Sequence, residues 1–262
     1  MSKDPVLFIS HGAPTFALEP GEAGRALGQV GAELDGLRAM VVISPHWQTD
    51  TLRVTTTASP ETIHDFYGFP EPLYRLQYPA QGSPAVAQEV LDCMDRAGLA
   101  PVADPDRGLD HGVWVPMMHL RPKADIPLVC VSLPYRADAT YAFQLGESLK
   151  TLRESGVAII GSGSLTHNLG DFRGTHVDAL LDYVEPFTDW VQQGVKQRDT
   201  AALLAWCELA PHARQAHPTE EHFLPLFVAM GASDTADELD LLTSEVRYGM
   251  LSMASFAWHA AV

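Results

Sequence analysis

The sequence predicts an α/β fold in which helices flank a mainly parallel central sheet. Short runs of β-branched and aliphatic residues alternate with segments whose apolar residues recur at helical spacing, as in parallel sheets. Several of these runs end in a histidine beside Gly, Pro or Ser, at the edge where open α/β sheets bind ligands. Because the 262 residues are 46% hydrophobic, we expect one domain over residues 1–262, with a helical C-terminal portion packed on it.

The individual elements follow from local patterns. Strands are predicted at Val6–Ile9, Met40–Ser44, Leu52–Thr57, Pro127–Leu133 and Val157–Gly161. Helices are predicted at Gly21–Leu37, Ser83–Ala97, Ala139–Glu154, Asp178–Gln193, Thr200–Leu209 and Glu220–Met230. We expect Ser83 and Asp138 to act as N-caps. The segment "SEVRYGMLSMASFAW", which begins at Ser244, predicts a late strand that returns to the sheet.

Composition excludes several classes of function. The formal net charge is −16, from 17 basic and 33 acidic residues, and this acidity disfavours binding to nucleic acids or anionic membranes. No run approaches the roughly 20 apolar residues that span a bilayer. The three cysteines, Cys93, Cys130 and Cys207, are far apart and fit reduced thiols. We therefore expect a soluble, cytoplasmic protein, monomeric or a small homo-oligomer.

Two histidines at strand ends are the first candidates for chemistry. "VLFISHGAP" presents His11, and "VVISPHW" presents His46 after Pro45, which we interpret as the turn that aims it. Neutral imidazole is a common ligand of zinc and ferrous iron, and strand ends hold ligands rigidly. The alternative is that both histidines merely cap turns or bond to backbone.

A third strand end, "GSGSLTHNL", presents His167 after a Gly/Ser turn. A turn of this kind can cradle phosphate, but neither the P-loop pattern nor the GxSxG nucleophile elbow is matched. The remaining interpretation is a close-approach turn that projects His167 as a base, an acid or a ligand.

Other histidines lie in less regular segments. In "HPTEEHFLPL" the HExxH signature is absent, and Thr219 as N-cap would place His222 in the first helical turn, where it could be incidental. "IHDFYGFP" and "GLDHGVWVPMMHL" place His64 and His111 beside Asp and aromatic residues, as in a pocket for a flat ligand. Structural roles are expected for His119 and His259, and surface or capping roles for His176 and His212.

Taken together, the six motifs "SHGAP", "SPHW", "IHDFYGFP", "LDHGVW", "GSGSLTHNL" and "EHFLPL" resemble the class III extradiol ring-cleavage dioxygenases. The similarity is greatest to the branch that contains DOPA 4,5-dioxygenase, and it runs in order over nearly the whole chain. The resemblance implies a single catalytic domain of this type. It assigns His11, His46 and His222 as metal ligands, with Glu221 as an alternative to His222. It also implies that His167 is the acid/base residue and a possible fourth ligand, with His111 catalytic and His64 on the substrate side.

The resemblance further implies ferrous iron as the active cofactor, with zinc as a possible occupant of the purified protein, and a small catechol and O2 as substrates. An amino-acid arm such as that of DOPA would need a cationic partner, for which Arg53, Arg75 and Arg173 are unranked candidates. Two alternatives remain at this point. One is a zinc-dependent hydrolase with His167 as base, and the other is a non-catalytic binding protein that has kept the metal site.

Overall fold

The structure, a computed structural model, describes residues 3–174 and 179–260. These residues build an α/β domain around an eight-stranded, mostly parallel sheet, so the predicted fold class is confirmed. Within them, no helix is long and apolar enough to cross a membrane. His176 and Asp178, for which a surface role and a helix start were predicted, lie outside the described residues.

Ten strands occur in the described residues. They are β1 Val6–Ser10, β2 Ala39–Thr49, β3 Arg53–Thr55, β4 Val102–Asp104, β5 Leu128–Pro134, β6 Val157–Gly163, β7 Asp237–Thr243, β8 Val246–Arg247, β9 Leu251–Ser252 and β10 Ser255–Ala260.

Nine α-helices occur in the same ranges. They are α1 Gly21–Ala32, α2 Pro84–Arg96, α3 His111–Leu120, α4 Ala139–Leu149, α5 Val184–Gln197, α6 Thr200–Leu204, α7 Trp206–Leu209, α8 Ala213–Ala216 and α9 Leu224–Ala232. Short 3-10 helices lie at Pro14–Ala17, Glu71–Arg75, Lys150–Ser155 and Leu169–Asp171.

The order of strands in the sheet places three predicted strand ends side by side. The order is β4-β3-β5-β2-β6-β1-β10-β7, and its centre, β5-β2-β6-β1, is parallel throughout. The outer pairs β3–β5, β1–β10 and β10–β7 are antiparallel. Because β2, β6 and β1 are neighbours and parallel, their carboxyl ends meet at one edge of the sheet.

Helices cover both faces of the sheet. Alternate residues of β1 belong to two separate apolar clusters, with Val6 and Phe8 in one and Leu7 and Ile9 in the other. The first cluster includes side chains of α2, α4, α5 and α9, and the second includes those of α1 and α3. Since both faces are covered, the central strands are buried continuously, which explains their unbroken apolar runs.

The C-terminal portion is less helical than predicted. Helices α5 to α9 are present, but the chain then forms four strands, of which β7 and β10 join the main sheet. The late strand predicted from Ser244 is therefore split, and only its end, Ser255–Ala260, pairs with β1. The prediction missed α3, α8, β4 and β7.

Two boundaries near the strand-end edge also differ from the prediction. Strand β2 does not end at Ser44 but continues to Thr49, and Pro45 lies inside it, where the register with β5 shifts. Proline has no N–H to donate, so it is tolerated at such an irregularity. Helix α9 begins at Leu224 rather than Glu220, with Pro225 in its first turn, so Thr219 is not its N-cap.

The position of α9 depends on a close crossing with α4. An added Cβ at Gly231 of α9 would overlap the carbonyl oxygen of Phe143 in α4, and one at Gly146 of α4 would overlap that of Val228. These glycines let the two backbones approach closely, which anchors the helix that follows the predicted ligand His222.

We expect Gly231→Ala to destabilise the protein by about 2–3 kcal/mol, because the added methyl group forces α9 away from α4. The measurement is the free energy of unfolding from urea titration. Gly28→Ala is the matched control, since its Cβ would meet its nearest atom, the His119 carbonyl oxygen, at 3.7 Å. That control should be neutral or stabilising by up to about 1 kcal/mol. Equal losses in both variants would contradict the close-crossing argument.

Candidate active site

His11 and His46 meet at the carboxyl edge of the sheet. His11 directly follows β1, and His46 projects from the irregular part of β2. Their Nε2 atoms lie 3.1 Å apart, and His11 is only 1% exposed. The topology therefore brings together the two histidines whose strand-end positions suggested a shared role.

The tautomer of His11 follows from its hydrogen bonds. Its Nδ1 lies 3.1 Å from the Ser162 hydroxyl oxygen, and that hydroxyl donates its single proton to the Gly112 carbonyl. Ser162 can therefore only accept from His11, so the proton of the ring lies on Nδ1 and Nε2 carries a lone pair.

His222 reaches the same edge from the turn before α9. Its carbonyl oxygen accepts a hydrogen bond from the Ser164 N–H at 2.8 Å, just beyond β6. A side chain at Gly163 would overlap this carbonyl oxygen. Gly163 of the Gly/Ser turn thus serves close packing against the His222 segment, and the phosphate-cradle alternative is not needed to explain it.

The residues present fit a metal ion. Ligand atoms of His11, His46 and His222 all lie within 4.8 Å of one another. The Nε2 atom of His222 is buried and has no hydrogen-bond partner among the described residues. A buried nitrogen without a partner costs roughly 1–3 kcal/mol, and a shared cation would satisfy it.

Glu221 contacts the opposite side of the His222 ring. Its Oε1 accepts from His222 Nδ1 at 3.2 Å and from the Thr219 hydroxyl at 2.9 Å. A carboxylate on Nδ1 leaves the Nε2 lone pair free for a metal. A second group of His167, Glu221 and His222 also has ligand atoms within 4.8 Å, so the geometry permits a carboxylate ligand as well.

Burial keeps the clustered imidazoles neutral. Desolvation is the largest cause that lowers the pKa of His11, His46 and His222 well below the usual value, and neighbouring histidines add to it. Neutral imidazole is the form that ligates metals, so each ring is ready to bind at neutral pH.

His167 lies against the cluster as an additional imidazole. Its ring stacks on that of His222, with centroids 3.5 Å apart and planes 7° apart. Its backbone N–H donates to the Ala216 carbonyl at 2.9 Å, which holds the loop after β6. Desolvation, with a contribution from His111, lowers the pKa of His167 to about 4, so its ring is neutral at pH 7.

His111 is oriented by a carboxylate that the sequence analysis did not assign. Asp65 accepts from the backbone N–H of His111 at 2.8 Å and from its Nδ1 at 3.0 Å. Burial raises the pKa of Asp65, but these bonds outweigh it and lower the pKa to about 2. Asp65 therefore holds the first turn of α3 and fixes a proton on His111 Nδ1. The sequence shows Asp65 only beside His64 and gives no sign that it would orient His111, 46 residues later.

A cavity of about 420 Å³ opens over these rings. It is lined by His11, Gly12, Ala13, Pro14, His46, Phe66, Tyr67, Phe69, His111, His167, Leu169, His222 and Leu251. His64 is not among these lining residues. Its Nε2 donates to the Leu76 carbonyl at 3.0 Å and its ring lies 5.9 Å from that of Phe66, so it supports the wall from behind.

Trp47 and Arg107 lie behind His46. The guanidinium of Arg107 lies 5.5 Å from the Trp47 ring centroid and donates to the His46 carbonyl at 3.2 Å and to Asp110 at 3.1 Å. Asp110 also accepts from the Ser44 hydroxyl at 2.6 Å. This buried network fixes the backbone that carries His46.

The three arginines considered for a substrate carboxylate are bound elsewhere. Arg53 pairs with Asp104, and Arg75 pairs with Glu71 on the surface. Arg173 lies 3.5 Å from Asp171. None of the three arginines is a lining residue of the cavity.

Comparisons with known proteins show which family the chain belongs to. Residues 6–258 match the family model of the catalytic LigB subunit of aromatic ring-opening dioxygenase. The chain is 36% identical over 255 residues to the 4,5-DOPA dioxygenase extradiol of Beta vulgaris, covering 95% of this chain and 94% of the relative. It is 33% identical over 254 residues to that of Escherichia coli K12, covering 96% and 93%.

A solved structure supports the same relationship. The crystal structure of an uncharacterized protein from Escherichia coli K12 superposes with a TM-score of 0.80 at 28% identity, covering 97% of this chain and 99% of that one. Neither the hydrolase nor the binding-protein alternative is favoured by these relatives. The chain belongs to the LigB family of catalytic subunits of aromatic ring-opening dioxygenases and is a metal-dependent extradiol enzyme.

Proposed function

We propose that the protein cleaves a small catechol with O2 at a ferrous ion held by His11, His46 and His222. The observation that carries this is the cluster of three neutral imidazoles, of which His11 and His222 are buried and His46 half-buried, with ligand atoms within 4.8 Å, at the floor of a cavity sized for an aromatic ring. Ferrous iron would bind both catechol oxygens and supply the redox chemistry with O2, which zinc lacks. Zinc in the purified protein would be a resting occupant.

The reaction needs no external reductant. The carbon–carbon bond beside the diol breaks, both atoms of O2 enter the product, and a ring-opened semialdehyde results. The work left for the protein is to bind the ring, exclude water and move the two hydroxyl protons.

His167 is the proposed base for one of these protons. It lines the cavity, and its neutral ring has a pKa near 4, so it is unprotonated before substrate binds. Its stacking on His222 also leaves it close enough to serve as a fourth ligand in a resting form.

His111 is the second proposed catalytic residue. Because Asp65 accepts a hydrogen bond from Nδ1, Nε2 is left to form a hydrogen bond with a catechol hydroxyl in the cavity. Glu221 and Ser162 are proposed to orient His222 and His11 in the same manner, and His64 to support Phe66.

The proposal extends to the domain organisation, the substrates and the location of the protein. Residues 1–262 act as one catalytic domain, and the substrates are a small aromatic diol and O2. The relatives' names make DOPA one candidate diol. A cytoplasmic location is supported by three free cysteines.

The ligand assignment can be tested through iron content. We expect His11→Ala, His46→Ala and His222→Ala each to abolish stoichiometric iron after anaerobic reconstitution and desalting, because each removes a ligand. Glu221→Gln should still bind iron, with affinity lowered about 10–100-fold. His259→Ala is the control, since His259 pairs with Asp240 on the far edge strands. Iron retained by His222→Ala but lost from Glu221→Gln would reverse the assignment.

The activity can be tested with the iron-loaded protein. A panel containing DOPA, catechol and 4-methylcatechol is added without oxygen, oxygen is then admitted, and its uptake and the absorbance of the product are recorded. We expect one O2 per catechol, and a loss of at least about 100-fold in kcat for His167→Ala with iron retained. No turnover of any catechol by protein with demonstrated iron would overturn the proposal.

Metal-free protein should lose stability as the pH falls below about 6.5, the value for histidine in an unfolded chain. Five buried or half-buried histidines have lowered pKa values, so the unfolded state takes up protons that the folded state does not bind. They are His11, His46, His167, His217 and His222. Each should lower the free energy of unfolding by about 1.4 kcal/mol per pH unit, from pH 6.5 down to its folded pKa.

His217→Phe isolates the contribution of one histidine to this dependence of the free energy of unfolding on pH. Desolvation lowers the pKa of His217 to about 3, against a hydrogen bond to the Leu165 carbonyl, and its ring packs on Phe187 and Phe223. Averaged over urea titrations between about pH 7 and 5, the slope should be shallower by about 1 kcal/mol per unit in the variant. A pH-independent stability in the parent protein would contradict the neutral-cluster argument.

A further inference from the structure

The cavity combines a polar floor with an apolar wall. The floor consists of the histidine rings, and the wall above it consists of Ala13, Pro14, Phe66, Phe69, Leu169 and Leu251. Tyr67 stands at the mouth with 92% of its surface exposed. Within the described residues, no Lys or Arg lines this cavity.

The two cations nearest to the wall along the chain are already bound. Arg247, four positions before wall residue Leu251, donates to Glu245 at 2.9 Å and lies 5.0 Å from the Phe16 ring centroid.

Arg173 follows wall residue Leu169 by four positions, yet its guanidinium donates to the carbonyl of Gly170 at 2.9 Å and lies 3.5 Å from Asp171. The Gly170 carbonyl and the Asp171 carboxylate already bind its charge, so a ligand would have to displace both of them.

The remaining cation close to the site lies on the wrong side of it. Arg107 is held behind His46 by Asp110, the His46 carbonyl and the face of Trp47. Residues 175–178, which lie outside the described part of the chain, contain neither Lys nor Arg.

The charges that do stand around the rings are negative. The carboxylate of Asp65 lies behind His111, and that of Glu221 lies behind His222. The chain as a whole has a formal net charge of −16. The charge of a ferrous ion at the floor would be matched by the catechol oxygens. An anionic ring substituent against the apolar wall would therefore leave water without a counter-charge of its own, while an alkyl or aryl substituent would gain by burial.

We infer that the site selects catechols with an uncharged, apolar ring substituent and discriminates against those with a carboxylate arm, DOPA included. This inference rests on the proposed function and goes beyond it by naming the substrate class. It sets the chain apart from the relatives whose names specify DOPA.

The test compares catechols that differ in the charge of one substituent: 4-methylcatechol (neutral), 3,4-dihydroxyphenylacetate (anionic), DOPA (zwitterionic) and dopamine (cationic). Dissociation constants are measured with the iron-loaded protein in the absence of O2, and kcat/KM in its presence. We expect 4-methylcatechol to bind at least tenfold more tightly than 3,4-dihydroxyphenylacetate and DOPA and to have the highest kcat/KM, with dopamine between them because the nearby carboxylates do not repel its ammonium group. A carboxylate-bearing catechol that equals or exceeds 4-methylcatechol in either quantity overturns the inference.

The two readouts separate this inference from the proposed function. Absence of turnover for every catechol refutes the function, while the order of dissociation constants still decides the preference of the cavity. Turnover that is fastest with DOPA confirms the function and refutes the inference.

A charge-gain variant provides the matched control. Leu169→Lys places a cation on the wall at a residue that is 68% exposed, so the fold should tolerate it. We expect it to raise kcat/KM for 3,4-dihydroxyphenylacetate relative to 4-methylcatechol by at least tenfold. Leu209→Lys, at an exposed residue of α7 outside the cavity lining, should leave that ratio unchanged. An equal change of the kcat/KM ratio in both variants, or no change in either, counts against the argument that the cavity lacks a cation for a carboxylate arm.

Discussion

The site depends on one backbone hydrogen bond, from the Ser164 N–H to the His222 carbonyl at 2.8 Å. It ties the end of β6 to the turn before α9 and so carries a residue from late in the chain to the edge formed by β1 and β2. Gly163 permits the approach, and the packing of α9 against α4 prevents the turn from drifting. The same two segments join again where the His167 N–H reaches the Ala216 carbonyl, so His167 and His222 are fixed by one junction. A disturbance there displaces a proposed ligand and a proposed base together.

The cluster of neutral imidazoles that suits the site for a metal also lowers the stability of the metal-free protein. Burial that readies His11 and His222 for a metal also forbids their protonation, and it leaves the Nε2 of His222 without a partner in the described residues. A fold optimised for stability alone would fill this space with apolar side chains. A ligand that binds the folded state and not the unfolded one offsets the cost, so metal binding and folding are thermodynamically linked here.

How much the sequence predicted depends on whether the relevant contacts are local. Strand β1 and the start of β6 were predicted correctly, because continuous apolar runs mark strands buried on both faces. Helix α3 escaped detection because it is buried almost all round and contains Gly112 and Pro116, which remove both the amphipathic period and the propensity signal. The histidines stood out by residue type and position. Their partners Asp65 and Ser162 did not, since an ordinary Asp or Ser becomes informative only when folding sets it beside a ring.

The network behind His46 shows how one irregularity demands several compensating residues. The shift of β2 relative to β5 turns His46 toward the cavity, but it removes His46 from the regular ladder of backbone hydrogen bonds. Side chains replace those bonds: the Ser44 hydroxyl accepts from the His46 N–H at 3.3 Å, and Arg107 donates to its carbonyl at 3.2 Å. A guanidinium in that position needs a counter-charge and a surface to lie on, which Asp110 and the Trp47 ring provide. Trp47, which follows His46 in the sequence, therefore supports the strand that presents the proposed ligand rather than contacting the substrate.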